Sequence, residues 1–183
     1  YDVGYDDEGR ILGLDVMLAA RCGFSADLSG AIADRAMFHI DNGYYLGDLK
    51  VTSHRSRTNT VSNCAFRGFG GPQGMVVIER IIDDISRSLQ KEPLEVRKLN
   101  LYGGEGRNIT PYQMTVEDNE LPEMIAMLEQ SSDYAARRKE IADWNATSPV
   151  IKRGMAMTPV KFGISFTTTF LNQAGALIHI YTD

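Results

Sequence analysis

The sequence predicts an α+β fold, with strands first, helices next and strands again, and no regular βαβ alternation. Three observations lead there. Residues 1–6 and 10–21 form two extended runs joined by Asp6-Asp7-Glu8-Gly9, the composition of a hairpin loop. Residues 72–89 and 93–100 each open on a proline and continue with apolar residues at helical spacing. Residues 151–162 and 176–182 return to strand-like composition. Residues 1–70 and 151–183 therefore read as strand-rich, and 71–148 as mainly helical, within one domain portion covering 1–183.

In the second run, Ile11, Leu12, Leu14, Val16, Leu18 and Ala20 partly alternate with Gly13, Asp15 and Met17, so one side is more buried than the other. Ser29 suits the cap of a helix over 30–41, with Ile32, Ala36, Met37 and Ile40 as its apolar stripe. Asn42-Gly43 has the residues that end a helix in the left-handed region. Arg35 within this helix reads as a surface ion-pair partner of Asp34, the ordinary role of a helical arginine. A polar-alternating strand spans 46–59.

The stretch Phe66-Arg67-Gly68-Phe69-Gly70-Gly71-Pro72-Gln73-Gly74 carries four glycines. Glycine lets backbone approach a ligand closely, and free amides at a helix start suit an anion. The stretch reads either as a loop holding an anionic group beside a flat substrate, or as a plain turn from strand to helix. Pro72 opens a helix to Leu89, with Ile78, Ile81, Ile82, Ile85 and Leu89 on one face. Met75 to Ile78 are apolar all round, which predicts a deeply buried N-terminal end. Pro93 to Asn100 form a short helix. After an irregular 107–118, Pro122 opens another, and Tyr134 to Asn145 form a polar one. Gly163-Ile164-Ser165-Phe166-Thr167 combines a hinge-like glycine with hydroxyls and an aromatic.

Composition narrows the function. A net charge of −5 and a pI near 5.2 argue against nucleic acid as a main partner. Arg137-Arg138-Lys139 reads as a solvated helix face. Cys22 and Cys64 have neither metal-site spacing nor a framework count, so they read as reduced thiols in a cytoplasmic protein. No apolar run is long enough for a membrane span. His39, His54 and His179 are far apart and lack metal-ligand spacing. GxSxG, the P-loop and the dinucleotide fingerprint are absent. What remains is an aromatic slot. Phe69 and Phe166 could pack on a planar heterocycle from two sides, gaining about 1 kcal/mol each beyond burial. Arg35 could bond a ring carbonyl and stabilise charge developing on it, and Thr167 could supply a further hydrogen bond. Each phenylalanine could equally be an ordinary core residue.

Asn63-Cys64-Ala65-Phe66-Arg67-Gly68-Phe69-Gly70-Gly71-Pro72-Gln73-Gly74 resembles the signature loop of the molybdenum hydroxylases, in the xanthine dehydrogenase/oxidase branch. The resemblance continues through 34–42, 161–167 and 170–179 and spans the chain in register. It implies that the chain is the middle part of a molybdopterin-binding domain. The position of Arg67 would make a backbone contact to the molybdenum centre of a molybdenum–pyranopterin cofactor. Phe69 and Phe166 would stack on substrate, Arg35 would orient it, and Thr167 would touch it. The arginine at position 35 favours a purine, hypoxanthine or xanthine, over an aldehyde. The implied reaction is hydroxylation of an electron-poor ring carbon with water as oxygen source. Electrons would leave through 2Fe-2S clusters and FAD, carried by the remaining parts or subunits, to NAD or oxygen. The family's general-base glutamate and first cofactor loop have no counterpart here, so the chain alone is expected to be inactive. The alternatives are an aldehyde oxidase-like or other heterocycle hydroxylase, and a non-catalytic scaffold.

Overall fold

The computed structural model describes residues 1–104, 106–166 and 169–182. A three-stranded sheet, ordered β1-β2-β3, is built from β1 (Asp2–Tyr5), β2 (Ile11–Gly23) and β3 (Asp48–Arg57). β1 pairs with β2 antiparallel, and β3 runs parallel to β2. A parallel return needs a crossover, and α1 (Ser29–Phe38) lies in that connection.

The hairpin joining β1 to β2 closes through Asp6. Its Oδ1 accepts the amides of Glu8 and Arg10, at 3.0 and 2.8 Å. These backbone bonds, led by the one from Arg10, hold its carboxyl below the usual range. In β2, Leu14 and Val16 are buried while Leu12 and Met17 point outward. Ile11 is buried too, although it lies three residues from Leu14. The pairing shifts register between Gly4 and Tyr5, and this irregularity changes the alternation.

Helix α2 (Gly71–Leu89) supplies the centre of the core. Ile78, Ile81, Ile82 and Ile85 are fully buried in a cluster with Ile11, Leu14, Val16 and Ile40. Fully burying an isoleucine contributes about 1.5–3 kcal/mol, so this face alone fixes the helix. Its first turn is not deeply buried throughout: Gly71 and Gly74 are enclosed, but Pro72, Gln73 and Val76 face out. The apolar run at 75–78 is wider than the face that packs. Helix α3 (Pro93–Asn100) starts at its proline, as expected. Helices α4 (Leu121–Ser131) and α5 (Tyr134–Thr147) form a peripheral pair.

Asn100 ties α3 to the hairpin. Its Oδ1 accepts the Ile11 amide at 2.9 Å, and its Nδ2 donates to the Gly9 and Val96 carbonyls at 2.9 and 2.8 Å. A second buried network centres on Glu79. It accepts from Asn42, Tyr44 and Arg97, while Arg97 also reaches Asp83. Burial, with Glu79 beside it, pushes the Tyr44 hydroxyl far above its ordinary value.

Two further expectations change. Ser29 does not cap α1: Leu28 is the cap residue, without a side-chain bond, and the Ser29 hydroxyl bonds the Asn63 carbonyl at 3.4 Å. Residues expected as strands over 151–183 carry no paired strand among those described, and their one regular element is a 3-10 turn at Thr169–Leu171. Strand hydrogen bonds need a neighbour. Leu177, Ile178 and Ile180 are largely exposed and lie beside none.

Candidate functional site

The stretch 66–74 is the turn into α2, and its glycines are set by packing. A Cβ on Gly70 would lie 2.1 Å from the Ile32 carbonyl oxygen, and one on Gly74 would lie 2.3 Å from that of Ala36. A Cβ on Gly71 would strike the Phe162 ring at 2.5 Å. Three of the four glycines therefore let α2 cross α1 and residue 162 at close range. This explains the glycine density without a ligand. What the turn presents outward is Phe66 and Arg67, both exposed. Gly68, Phe69 and Gly70 all have positive φ, which folds the turn tightly enough to bring Phe69 back over α1.

Arg35 is 4% exposed and makes no pair with Asp34, which bonds Arg55 instead. Its guanidinium donates to three successive carbonyls, those of Gly163, Ile164 (3.1 Å) and Ser165 (2.6 Å). It also lies 5.7 Å from the Phe69 ring centroid and 5.2 Å from that of Phe162. The arginine thus joins the two aromatic stretches by gripping the backbone of one and the ring of the other. Its Nε is buried without a partner among the described residues.

One turn along α1, His39 continues the same contact. Its Nδ1 is 2.8 Å from the Arg35 carbonyl, and its Nε2 accepts the Gly163 amide at 2.9 Å. Burial holds its pKa below the usual histidine range. Further on, Asn42 donates to the Pro159 carbonyl (2.9 Å) and accepts the Lys161 amide (2.9 Å). Lys161 also pairs with buried Asp41. Side chains at 35, 39 and 42 therefore take the backbone of 159–165 in reverse order. They satisfy polar groups that a strand neighbour would otherwise take.

The result of this docking is that Phe69 and Phe166 meet. Their centroids are 5.4 Å apart at 74°, edge to face. They form a corner in contact with each other, where the sequence suggested two sides of a slot. Thr167 lies outside the described residues. On another face of α1, a cavity of about 400 Å³ opens between β2, α1 and the turn, lined among others by Ser29, Ala33, Ser53, Cys64 and Gln73.

The chain matches two family models described as molybdopterin cofactor-binding domain, over residues 1–101 and 127–183. The chain belongs to the molybdopterin cofactor-binding domain family. It is 45% identical over all 183 residues to the xanthine dehydrogenase of Emericella nidulans and 44% identical over the same length to xanthine dehydrogenase 1 of Arabidopsis thaliana. It spans 13% of the length of each. The fold resembles that of the aldehyde oxidoreductase of Desulfovibrio gigas, with a TM-score of 0.68 and 25% identity, covering 81% of this chain and 16% of that one.

The donors present suit such a cofactor in kind. Among the described residues no cluster of His, Cys, Asp and Glu could hold a metal through side chains. Among the described residues the amides of Arg67 and Gly68 make no backbone hydrogen bond, and they precede a 19-residue helix whose start favours negative charge. In the adjoining cavity the Ser53 hydroxyl is buried without a partner. Backbone amides and neutral polar groups match the oxygen-rich, heterocyclic surface of a molybdopterin group.

Sequence patterning alone does not single out His39 as a contact to residues 159–165. Its signal was its place one helical turn after Arg35, on the face that the glycine-rich turn and residues 159–165 both approach.

Proposed function

We propose that this chain is part of the molybdenum-binding portion of a xanthine dehydrogenase, acting in the cytoplasm on hypoxanthine and xanthine. The observation that carries this reading is the 45% identity to a xanthine dehydrogenase across the full 183 residues. The remaining parts of the enzyme would hold the iron–sulfur clusters and FAD. The chain's share of the work is to form one wall of the cofactor and substrate sites.

When bound, the molybdopterin group supplies the two-electron redox chemistry of the hydroxylation, with water as oxygen source. The Arg67 backbone would contact the molybdenum centre. The Phe69 and Phe166 corner would hold the purine ring, one face against one phenylalanine and one edge against the other. Arg35, at the base of that corner, supplies a fixed positive charge near any oxygen on the ring where negative charge builds. Thr167, next in sequence to Phe166, would add a hydrogen bond. No group in this set is a general base, so the 183-residue chain by itself would turn over nothing.

The full-length protein tests this. Wild type is expected to hydroxylate hypoxanthine and xanthine, with label from ¹⁸O-water in the product. Arg35→Ala, which removes both the charge and the hold on residues 163–165, is expected to lose purine turnover. A wild-type enzyme that oxidises aldehydes and leaves purines untouched overturns the purine reading in favour of an aldehyde oxidase-like hydroxylase. The absence of bound molybdenum overturns the catalytic reading altogether.

A further inference from the structure

The turn that carries Phe166 has little apolar anchorage. Gly163, Ile164 and Ser165 are exposed, with Ile164 at 88%. Phe166 nevertheless stands at a defined distance and angle from Phe69. What holds the turn is polar: α1 and its C-terminal end take residues 163–165, while Asn172 brackets Phe166 itself, its Oδ1 accepting the Phe166 amide at 2.8 Å and its Nδ2 donating to the Phe166 carbonyl at 3.2 Å. Arg35 takes its carbonyls, and His39 takes its first amide.

These two holds differ in kind. A guanidinium has several donors and a long stem, and it can follow a moving carbonyl. The imidazole of His39 cannot follow in this way. It is buried, with the Phe162 ring 5.1 Å away and Gly71 of α2 against its edge, while Gly74 packs on the His39 backbone. One nitrogen must donate and the other accept in the neutral ring. The Arg35 carbonyl can only accept, so Nδ1 carries the proton. Nε2 is left as an acceptor, facing the Gly163 amide. The tautomer is dictated by two backbone groups at fixed places.

We infer that His39 is a positioning residue: by accepting the Gly163 amide it fixes the start of the turn that carries Phe166, and so sets where Phe166 stands against Phe69. This rests on the proposal above that the two rings face the substrate. The charged groups around the ring agree with a neutral imidazole. Arg35 on its own helix and Lys161 on the docked segment both oppose a proton there, and only Asp41 favours one. Helix α2 brings no charged side chain, because it meets His39 with glycines.

The experiment uses the full-length protein and reads hydrogen–deuterium exchange of the peptide containing Gly163 to Phe166, together with KM and kcat for xanthine. His39→Phe keeps the ring and its packing on Phe162 but removes the acceptor. It is expected to speed exchange of that peptide about five- to tenfold, the loss of one hydrogen bond, and to raise KM with kcat little changed. Peptides from α2 and the sheet should exchange as in wild type. His39→Gln, whose side-chain oxygen can reach the same amide, should restore both readouts. Gly163→Pro removes the donor from an exposed position and should speed the same exchange with His39 intact, so the inference stays testable if the His39 variants fold poorly.

Unchanged exchange in both His39→Phe and Gly163→Pro overturns the inference. So does loss of structure throughout His39→Gln alongside unchanged exchange in Gly163→Pro. If exchange responds as expected but wild type turns over no purine, the positioning role stands and the substrate reading falls. Normal purine turnover with unchanged exchange leaves the substrate reading and removes the positioning role.

Discussion

Gly70 and Ile32 meet backbone to backbone: a single added methyl on Gly70 would stand 2.1 Å from the Ile32 carbonyl oxygen. Gly70 also has a φ of 99°, where an L side chain is strained. Gly70→Ala is therefore expected to cost about 2–4 kcal/mol, from backbone strain and overpacking together. Urea denaturation of the variant and wild type measures it. Gly104→Ala, also at positive φ but with open space around it, should cost only the smaller strain portion.

Asn100 should be among the least replaceable polar residues. Asn100→Ala strands the Ile11 amide and the Gly9 carbonyl in the core, at about 2–4 kcal/mol. Asn100→Asp is expected to be no better. It keeps the acceptor for Ile11 but turns a carboxylate oxygen toward two carbonyls that need a donor. Denaturation midpoints of the two variants against wild type check both statements.

Arg97 is nearly wholly buried between Glu79 and Asp83. Arg97→Met alone leaves the Glu79 carboxylate with less compensation and should cost about 3–5 kcal/mol. Adding Glu79→Gln removes that charge and keeps an oxygen for the Tyr44 and Asn42 donors at 2.7 and 3.0 Å. The double variant is expected to be more stable than Arg97→Met. A double variant as unstable as, or less stable than, the single would show that the charge is not the source of the cost.

Stability should fall on the acid side of neutrality through His39. Burial depresses its folded pKa below 6.5, helped by Arg35 and Lys161 and opposed by Asp41 and by the bond to the Arg35 carbonyl. The unfolded chain therefore takes up the proton first. The contribution is complete above the unfolded value and is lost as pH drops toward the folded one. Unfolding free energies at a series of pH values between about 7.5 and 5 should show this slope in wild type and a flatter one in His39→Phe.

The helices were legible in the sequence because each carries its own signal. Pro72 and Pro93 mark starts, and the isoleucine spacing of α2 marks a face. The hairpin was equally plain from Asp6 to Gly9. The strands expected after residue 151 were not, because composition reports a preference for extended backbone and says nothing of whether a partner lies alongside. The site was legible in its parts and not in their relations. Arg35, Phe69 and Phe166 stood out one by one, but the edge-to-face corner depends on how residues 159–165 dock along α1. That docking is made of side chain to backbone bonds from Arg35, His39 and Asn42, which leave no periodic trace. The glycines misled for a related reason. Close approach by a neighbouring helix and close approach by a ligand ask the same thing of a sequence.

The inward glycines have a consequence for how this family can diversify. Gly70, Gly71 and Gly74 fix the crossing of the two helices, while Phe66 and Arg67 stand on the outer side of the same turn. Scaffold and display are thus assigned to different positions within nine consecutive residues. Evolution can retune what the outer positions offer to a neighbouring molecule without renegotiating the helix crossing beneath them, so new selectivities can be explored on an inherited frame.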